Sequence, residues 1–449
     1  MSTWNAPQAN VSERLDAMPV TALHIGVMLV CALGFTFDLM EIALGSALSA
    51  VFSQPPHRID SAQLSWLLSA VFLGAIVGAP TLGRLADRFG RRPILAAMLL
   101  WLGAMSLAGA FSTSAAALIV FRVLAGLSLG AYPPTMIAFL TDLLPAARRG
   151  TLTFAVLAVS TLGPVGAIFL VRWLTPFEPL GIEAWRWGFI VGASGAMLAA
   201  VLYLLLPESP RWLEKTGRKQ EAMVAMLRFE RSHVVVDRTV PTRALSSAVA
   251  RAAQPPRMPV PSVQRAWRLV AGVFFLGSWA TAAFPLLTGA VLAQKGVNLS
   301  DALLYVGLSL FGPTLGSLAA AAFLDRFERR LALIVTSGGM LTFGLVFIAS
   351  SSPFWLVASN LAFSTVGSVY ISALNLYSAE LFPTEERASR LASAWGMNRV
   401  GAALGPLLLL PLMRFAGTFA MFAVVASALL LSIGLLIRAP AGRSQRAVE

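Results

Sequence analysis

Apolar residues run along this chain in long blocks separated by short polar connections. Twelve blocks stand out, at 21–52, 62–83, 93–112, 115–141, 151–172, 185–206, 266–293, 300–323, 331–349, 353–379, 390–412 and 416–437. An α-helix rises about 1.5 Å per residue, so roughly 20 apolar residues cross a hydrocarbon core about 30 Å thick. The pattern predicts an all-α integral membrane protein with twelve transmembrane helices, called spans 1 to 12 here. The stretch "GFTFDLMEI" (34–42) interrupts it, because Asp38 and Glu41 fall inside span 1. An acid at mid-membrane costs about 2.5–3.5 kcal/mol on insertion scales, so two of them need an explanation.

The polar connections repeat. "GRLADRFGRRP" (83–93) returns as "AFLDRFERRL" (322–331), and "TDLLPAARRG" (141–150) returns as "AELFPTEERA" (379–388). Asp87 and Asp325, Asp142 and Glu380, Pro145 and Pro383, and Arg149 and Arg387 are each 238 residues apart. One shared spacing predicts two six-helix repeats, 21–206 and 266–437. They are joined by a loop at 207–265 and flanked by tails at 1–20 and 438–449. The loop opens with "PESPRWLEKTGRKQEAM", suited to one or two short amphipathic surface helices. It closes with the Pro-rich "AAQPPRMPVPSVQ", which reads as a linker.

Composition strengthens the membrane reading: 57% of residues are hydrophobic and 12% charged, against about 25% charged in soluble domains. The net charge of +13 suggests a nucleic-acid partner until its placement is considered. With the N-terminus inside, only Arg58, Arg172, Arg186, Lys295 and Arg414 of the 34 Lys and Arg fall outside, and Arg122 and Arg399 lie within spans. The rest are cytoplasmic, which puts both termini in the cytoplasm and leaves no nucleic-acid surface. The polar first twenty residues carry no cleavage signature, so span 1 reads as retained. The single cysteine, Cys31, excludes an internal disulfide, and His24, His57 and His233 are scattered, so no metal site or cofactor is expected.

In "GRLADRFGRR", Gly83 and Gly90 suit a tight turn between antiparallel helices, and Asp87 sits among Arg84, Arg88, Arg91 and Arg92. Two six-helix repeats, this loop between spans 2 and 3 and "PESPRWL" after span 6 resemble the major facilitator superfamily over essentially the whole chain. The last motif points towards the branch of sugar porters, organic-ion carriers and aromatic-acid or niacin proton symporters. The resemblance implies two halves rocking about a central site. It also implies a cytoplasmic gate of salt bridges from Asp87, Arg88, Arg91, Asp142, Arg149 and Glu208, with Asp325, Arg330, Glu380 and Arg387 in the second half. Glu328 replaces the second glycine there, so a weaker latch is expected. The competing reading is a basic loop that only fixes topology.

The buried charges do not obey the repeat. At the 238-residue offset Asp38 maps to Leu276, Glu41 to Trp279 and Arg122 to Asn360, while Arg399 maps back to Thr161. A scaffold shared by both halves does not require charges present in only one. Asp38 lies roughly 25 Å up span 1 and Arg122 roughly 28 Å from the same end of span 4. The two are therefore expected to meet, helped by Gly126 and Gly130 on the Arg122 face. Asp38 and Glu41, three residues apart, share one side of span 1. In similar proton-coupled carriers an acid on span 1 and an Arg on span 4 form the coupling pair. The resemblance therefore assigns Asp38, Glu41 and Arg122 to proton coupling, against the alternative of a static ion pair.

Arg399 stands in span 11 with no acid at similar depth in spans 7 to 12. An intramembrane Arg is a functional candidate by default, and its planar fork suits a carboxylate. Similar organic-anion carriers bind substrate with such an Arg; pairing with Asp38 or Glu41 across the halves is the alternative. Sugar porters carry glutamines on spans 5 and 7, whereas "LTFAVLAVSTLGPVGAIFLV" and "VFFLGSWATAAFPLLTGAV" have none, which disfavours a sugar. Trp279 and Tyr370 offer aromatic walls, and Asn360, Asn375, Tyr377 and Asn398 offer hydrogen bonds. The expected function is an inner-membrane proton symporter importing a small, aromatic organic acid. Its partners are that acid, protons and the bilayer, and it works as a monomer. A carrier of organic cations or zwitterions bound by the span 1 acids, or an uncoupled facilitator, is the alternative. No enzyme constellation is visible.

Overall fold

The computed structural model describes residues 11–146, 148–236, 263–382 and 387–440. Spans 1 to 10 are Ala22–Val51, Ser61–Phe89, Arg91–Ala110, Ala115–Leu143, Arg149–Leu174, Ala184–Leu205, Val263–Gln294, Leu299–Phe323, Arg329–Ala349 and Pro353–Leu381. The last helical segment, Arg387–Ile437, has 51 residues, far more than one crossing needs. It is divided at Gly417 (φ 88°, ψ 173°), a conformation outside the helix. Spans 11 and 12 are accordingly 387–416 and 418–437, and the break falls just inside the expected span 12. The eleven apolar helices of crossing length among the described residues thus agree with twelve crossings.

Local chemistry sets several boundaries. Asp60 caps span 2 by accepting from the Ala62 N–H at 2.9 Å, and Ser114 caps span 4 by accepting from Ala117 at 3.2 Å. Span 2 runs through Gly83, which is helical. The expected two-glycine turn is therefore made by Gly90 alone, at φ 108°. In span 7 the helix widens to a π-turn over Trp279–Ala283, ending two residues before Pro285, which cannot donate a backbone hydrogen bond.

The glycines of span 4 do not bring span 1 close, as the sequence suggested. A Cβ on Gly126 or Gly130 would lie 2.2 Å from the carbonyl oxygens of Val71 and Ala75, and one on Gly74 or Gly78 would meet Val123 and Leu127. Spans 2 and 4 thus pack backbone to backbone through four small residues, each without side-chain bulk.

The face bearing Ala22, the loop 207–236 and Pro440 is called the terminal face, and the other the far face. One apolar core joins the far-face end of the first half to the second half over its whole depth, whereas a second core belongs to the first half and Phe229 of the loop helix. Spans 1 and 7 close at the far face around Gly289, whose Cβ would sit 2.6 Å from Ser49 Oγ and 2.7 Å from Ser46 O. Gln54 donates to Val297 O at 3.2 Å and Arg172 to Ser300 O at 3.1 Å, both across the halves. Near mid-depth Thr161 and Thr314 share a hydroxyl hydrogen bond of 2.7 Å.

Two short helices, Pro210–Lys215 and Lys219–Glu230, occupy the start of the inter-half loop, and Val234–Val236 pairs antiparallel with Val20–Thr21. The Pro-rich remainder through residue 262, the tails 1–10 and 441–449, and the side chains of Asp325 and Arg387 lie outside the described residues.

Candidate functional site: the buried charges

Span 4 brings Arg122 against span 1, but its partner is Glu41, not Asp38. Arg122 Nη1 donates to Glu41 Oε1 at 2.8 Å and to the Glu41 carbonyl at 3.0 Å. Ser106 donates a short hydrogen bond to Glu41 Oε2, and the Phe189 ring lies 5.7 Å from the guanidinium carbon. The pair is 3% and 2% exposed. Three residues along a helix turn a side chain by about 60°, and that rotation decides which of two neighbouring acids meets the arginine.

Asp38 is fully buried, and neither carboxylate oxygen has a hydrogen-bond partner among the described residues. Asp38 makes no ion pair among the described residues, and the other unpaired intramembrane charge, Arg399, belongs to the opposite half. Arg399 is only half-buried and makes no ion pair among the described residues. Its guanidinium carbon stands 5.4 Å from the ring of Trp395, one turn earlier on span 11, and 6.0 Å from the ring of Phe72 on span 2. Both distances are within the range of cation–π attraction. Trp395 is itself fixed, donating its indole N–H to Asn375 Oδ1 at 2.9 Å and packing on Phe274 at 5.7 Å.

Phe72 and Trp395 were missed in the sequence. Trp395 is legible there, four residues before Arg399 and so on the same helix face. Phe72 comes from the other half and carries no such signal. One expected aromatic wall, Tyr370, and one expected hydrogen-bonding residue, Tyr377, go elsewhere. Tyr370 is held within 3.4 Å of Val273 O and Ser432 Oγ, and Tyr377 donates to Pro440 O at 2.8 Å. Seven residues apart, both lie on the face of span 10 turned to the end of the chain. Trp279 and Asn360 are buried, and their Nε1 and Nδ2 donors lack partners among the described residues. Asn398 is buried one residue before Arg399.

At the terminal face the expected gate residues sort into pairs within each half. Arg91 pairs closely with Asp142, which also accepts from Ser209 Oγ at 2.9 Å. The repeat reproduces this bridge: Arg329 pairs with Glu380 at 3.2 Å, and both residues sit 238 positions beyond their counterparts. Arg330, expected in that role, instead pairs with Glu328 at 3.1 Å and donates to Ala439 O, much as Arg92 donates to Leu206 O. Glu208 lies beneath Gly90, where a Cβ would be 2.6 Å from its Oε2, and accepts from the Arg92 and Ser209 backbone N–H groups at 3.1 and 2.8 Å. Burial raises its pKa above the ordinary 4.5, against those N–H donors, which lower it. Arg149 reaches Asp16 of the helix Val11–Ala17 at 2.8 Å, beside Arg211 at 2.5 Å. Asp87 and Arg88 are exposed and form no ion pair among the described residues. Span 2 continues to Phe89, so both stand on its last helical turn.

Comparison with known proteins places the chain. The family profile of the Major Facilitator Superfamily matches residues 28–312 and 269–448, and the chain belongs to that family. It is 26% identical to the 4-hydroxybenzoate transporter PcaK of Pseudomonas aeruginosa over 98% of its length and 100% of that protein. It is 25% identical to the niacin transporter NiaP of Acinetobacter baylyi, over 97% of this chain and 98% of that one. Among solved structures, the xylose transporter XylE of E. coli, partially occluded and inward open, matches with a TM-score of 0.71 at 18% identity. That match covers 94% of this chain and 99% of XylE, and it shows the fold. The protein is a multi-pass membrane transporter and not an enzyme.

Proposed function

We propose that this transporter is a proton-coupled symporter importing a small organic acid, an aromatic carboxylate, across the inner membrane, working as a monomer with both termini cytoplasmic. The excess of Lys and Arg at the terminal face supports that orientation, and the seal at the far face then corresponds to an inward-facing state. The relatives that transport 4-hydroxybenzoate and niacin support the substrate class.

One observation carries the coupling: Asp38 is buried with both carboxylate oxygens unpartnered and Arg399 makes no ion pair among the described residues, one in each half, while Glu41 and Arg122 neutralise each other at 2.8 Å. A substrate carboxylate docking on the Arg399 fork claims the cation that faces Asp38. A proton on Asp38 then cancels a buried charge left without a counter-ion. Substrate and proton therefore favour each other's binding, and linkage makes the effect reciprocal. The coupling pair becomes Asp38 and Arg399, with Glu41 and Arg122 as its fixed neighbours.

The test measures protons taken up when benzoate is added to the purified chain in weak buffer with a pH indicator. Up to one proton per bound acid is expected across a series of pH values, since one titrating site is linked to one ligand, and none in Asp38→Asn, which still binds. Benzoate binding to the unmodified chain with no proton uptake would sink the coupling. The unpartnered oxygens of Asp38 also favour a second reading, a carrier of organic cations. Displacement of bound benzoate by a quaternary amine, but not by other aromatic acids, would establish that reading instead.

A further inference from the structure

The surroundings of Arg399 bear on which acids fit, taking as given the proposed docking of a carboxylate on that residue. Its guanidinium is flanked by two aromatic rings, Trp395 at 5.4 Å from its own helix and Phe72 at 6.0 Å from the opposite half. Rings that attract a guanidinium through their faces leave its in-plane N–H fork for a carboxylate. A bidentate carboxylate extends the guanidinium plane outward. In a conjugated acid the ring attached to that carboxylate continues the same plane. A saturated acid puts a tetrahedral carbon there, with substituents above and below.

We propose that Phe72 and Trp395 form a slot selecting flat, conjugated carboxylates, and that Asn375 is a positioning residue acting through Trp395. The Asn375 acceptor holds the indole N–H at 2.9 Å, and Phe274 supports the same ring at 5.7 Å. Phe72 is 3% exposed, so its ring is held by its own packing as well. Because Phe72 and Trp395 belong to different halves, the slot is complete only while spans 2 and 11 are apposed. Selection therefore operates in the state described here.

The experiment compares two acids of similar size, benzoate and cyclohexanecarboxylate, by calorimetric titration of the full chain in detergent. Benzoate is expected to bind about tenfold tighter, the scale of one well-fitted apolar contact. Phe72→Leu and Trp395→Leu, which keep apolar bulk without an aromatic face, bring the ratio towards one. Asn375→Leu does the same, but adds nothing further in the Trp395→Leu background, as a double-mutant cycle requires of a residue acting through another. A thermal melt of each variant identifies any that fails to fold, and the three separate substitutions leave the ratio measurable if one does. If both acids bind and Arg399→Ala loses both, yet the ratio is unchanged in Phe72→Leu and Trp395→Leu, the slot is wrong and the docking reading stands. If neither acid binds, or both bind Arg399→Ala unchanged, the docking reading fails and the slot with it.

Discussion

Glu41 and Asp38 lie one turn apart on span 1, and the same isosteric change to each should give opposite results. Glu41→Gln removes one charge from a pair that is 2–3% exposed and bonded at 2.8 Å. It leaves Arg122 buried, with Nε already lacking a partner among the described residues. Breaking a buried ion pair on one side costs about 3–5 kcal/mol because the other charge remains uncompensated. For a cooperative unit the size of one half, that corresponds to a fall in Tm on the order of 10 °C. Asp38→Asn replaces a buried carboxyl group that accepts no hydrogen bond among the described residues. It should leave Tm within a few degrees, or raise it, while abolishing benzoate accumulation driven by an imposed pH gradient in proteoliposomes. Replacing both members of the first pair, Glu41→Met with Arg122→Met, should recover much of the lost stability, since no lone charge is left. If Glu41→Gln melts with the unmodified chain and Asp38→Asn melts far below it, Glu41 is not the structural acid and Asp38 is.

Three further outcomes are expected. Arg399→Ala should lose benzoate binding, and Arg399→Lys should recover only part of it, because a point charge cannot replace the planar fork; calorimetric titration checks both. Gly289→Val should push span 7 from Ser49 and Ser46, where a Cβ already lies 2.6–2.7 Å from their oxygens. That should expose the far face, read as faster maleimide labelling of Gln54→Cys. Glu208 has a pKa raised from 4.5 by burial, so the folded chain binds more protons than the unfolded chain between 4.5 and that raised value. Its contribution to stability must fall as pH rises through this interval, and Glu208→Gln should remove that slope from a plot of Tm against pH.

Much of the architecture was legible because membrane solvation is severe. An apolar block that must satisfy its own backbone and cross about 30 Å has few alternatives to a helix, and spans 1 to 10 fall within a few residues of expectation, apart from the longer end of span 2. The 238-residue offset relates the observed Arg91–Asp142 and Arg329–Glu380 bridges. Depth along a helix was legible as well, since Arg122 does meet span 1. Rotation about the helix axis was not. It substitutes Glu41 for Asp38, turns Tyr370 and Tyr377 into packing residues, and delivers the glycine face of span 4 to span 2. A single sequence gives the composition of a face without saying which neighbour covers it. Phe72 illustrates the limit, since its place beside Arg399 depends on the apposition of two halves.

That apposition also decides which charges can report it. Glu41 and Arg122 both belong to the first six spans, and the bridges at the terminal face likewise stay inside one half each. When two halves rock as bodies, distances inside each half hardly change, so these pairs have nearly the same energy in every state. They stabilise a half without biasing one state over another. Asp38 and Arg399 lie on opposite sides of the joint, and their separation must change when the halves move. On the proposed coupling, this is the pair through which rocking changes a proton affinity. That both residues lack a charged counterpart at the equivalent position of the other half fits the same requirement. A second copy would supply a counter-ion that moves with each residue and would remove its dependence on the state.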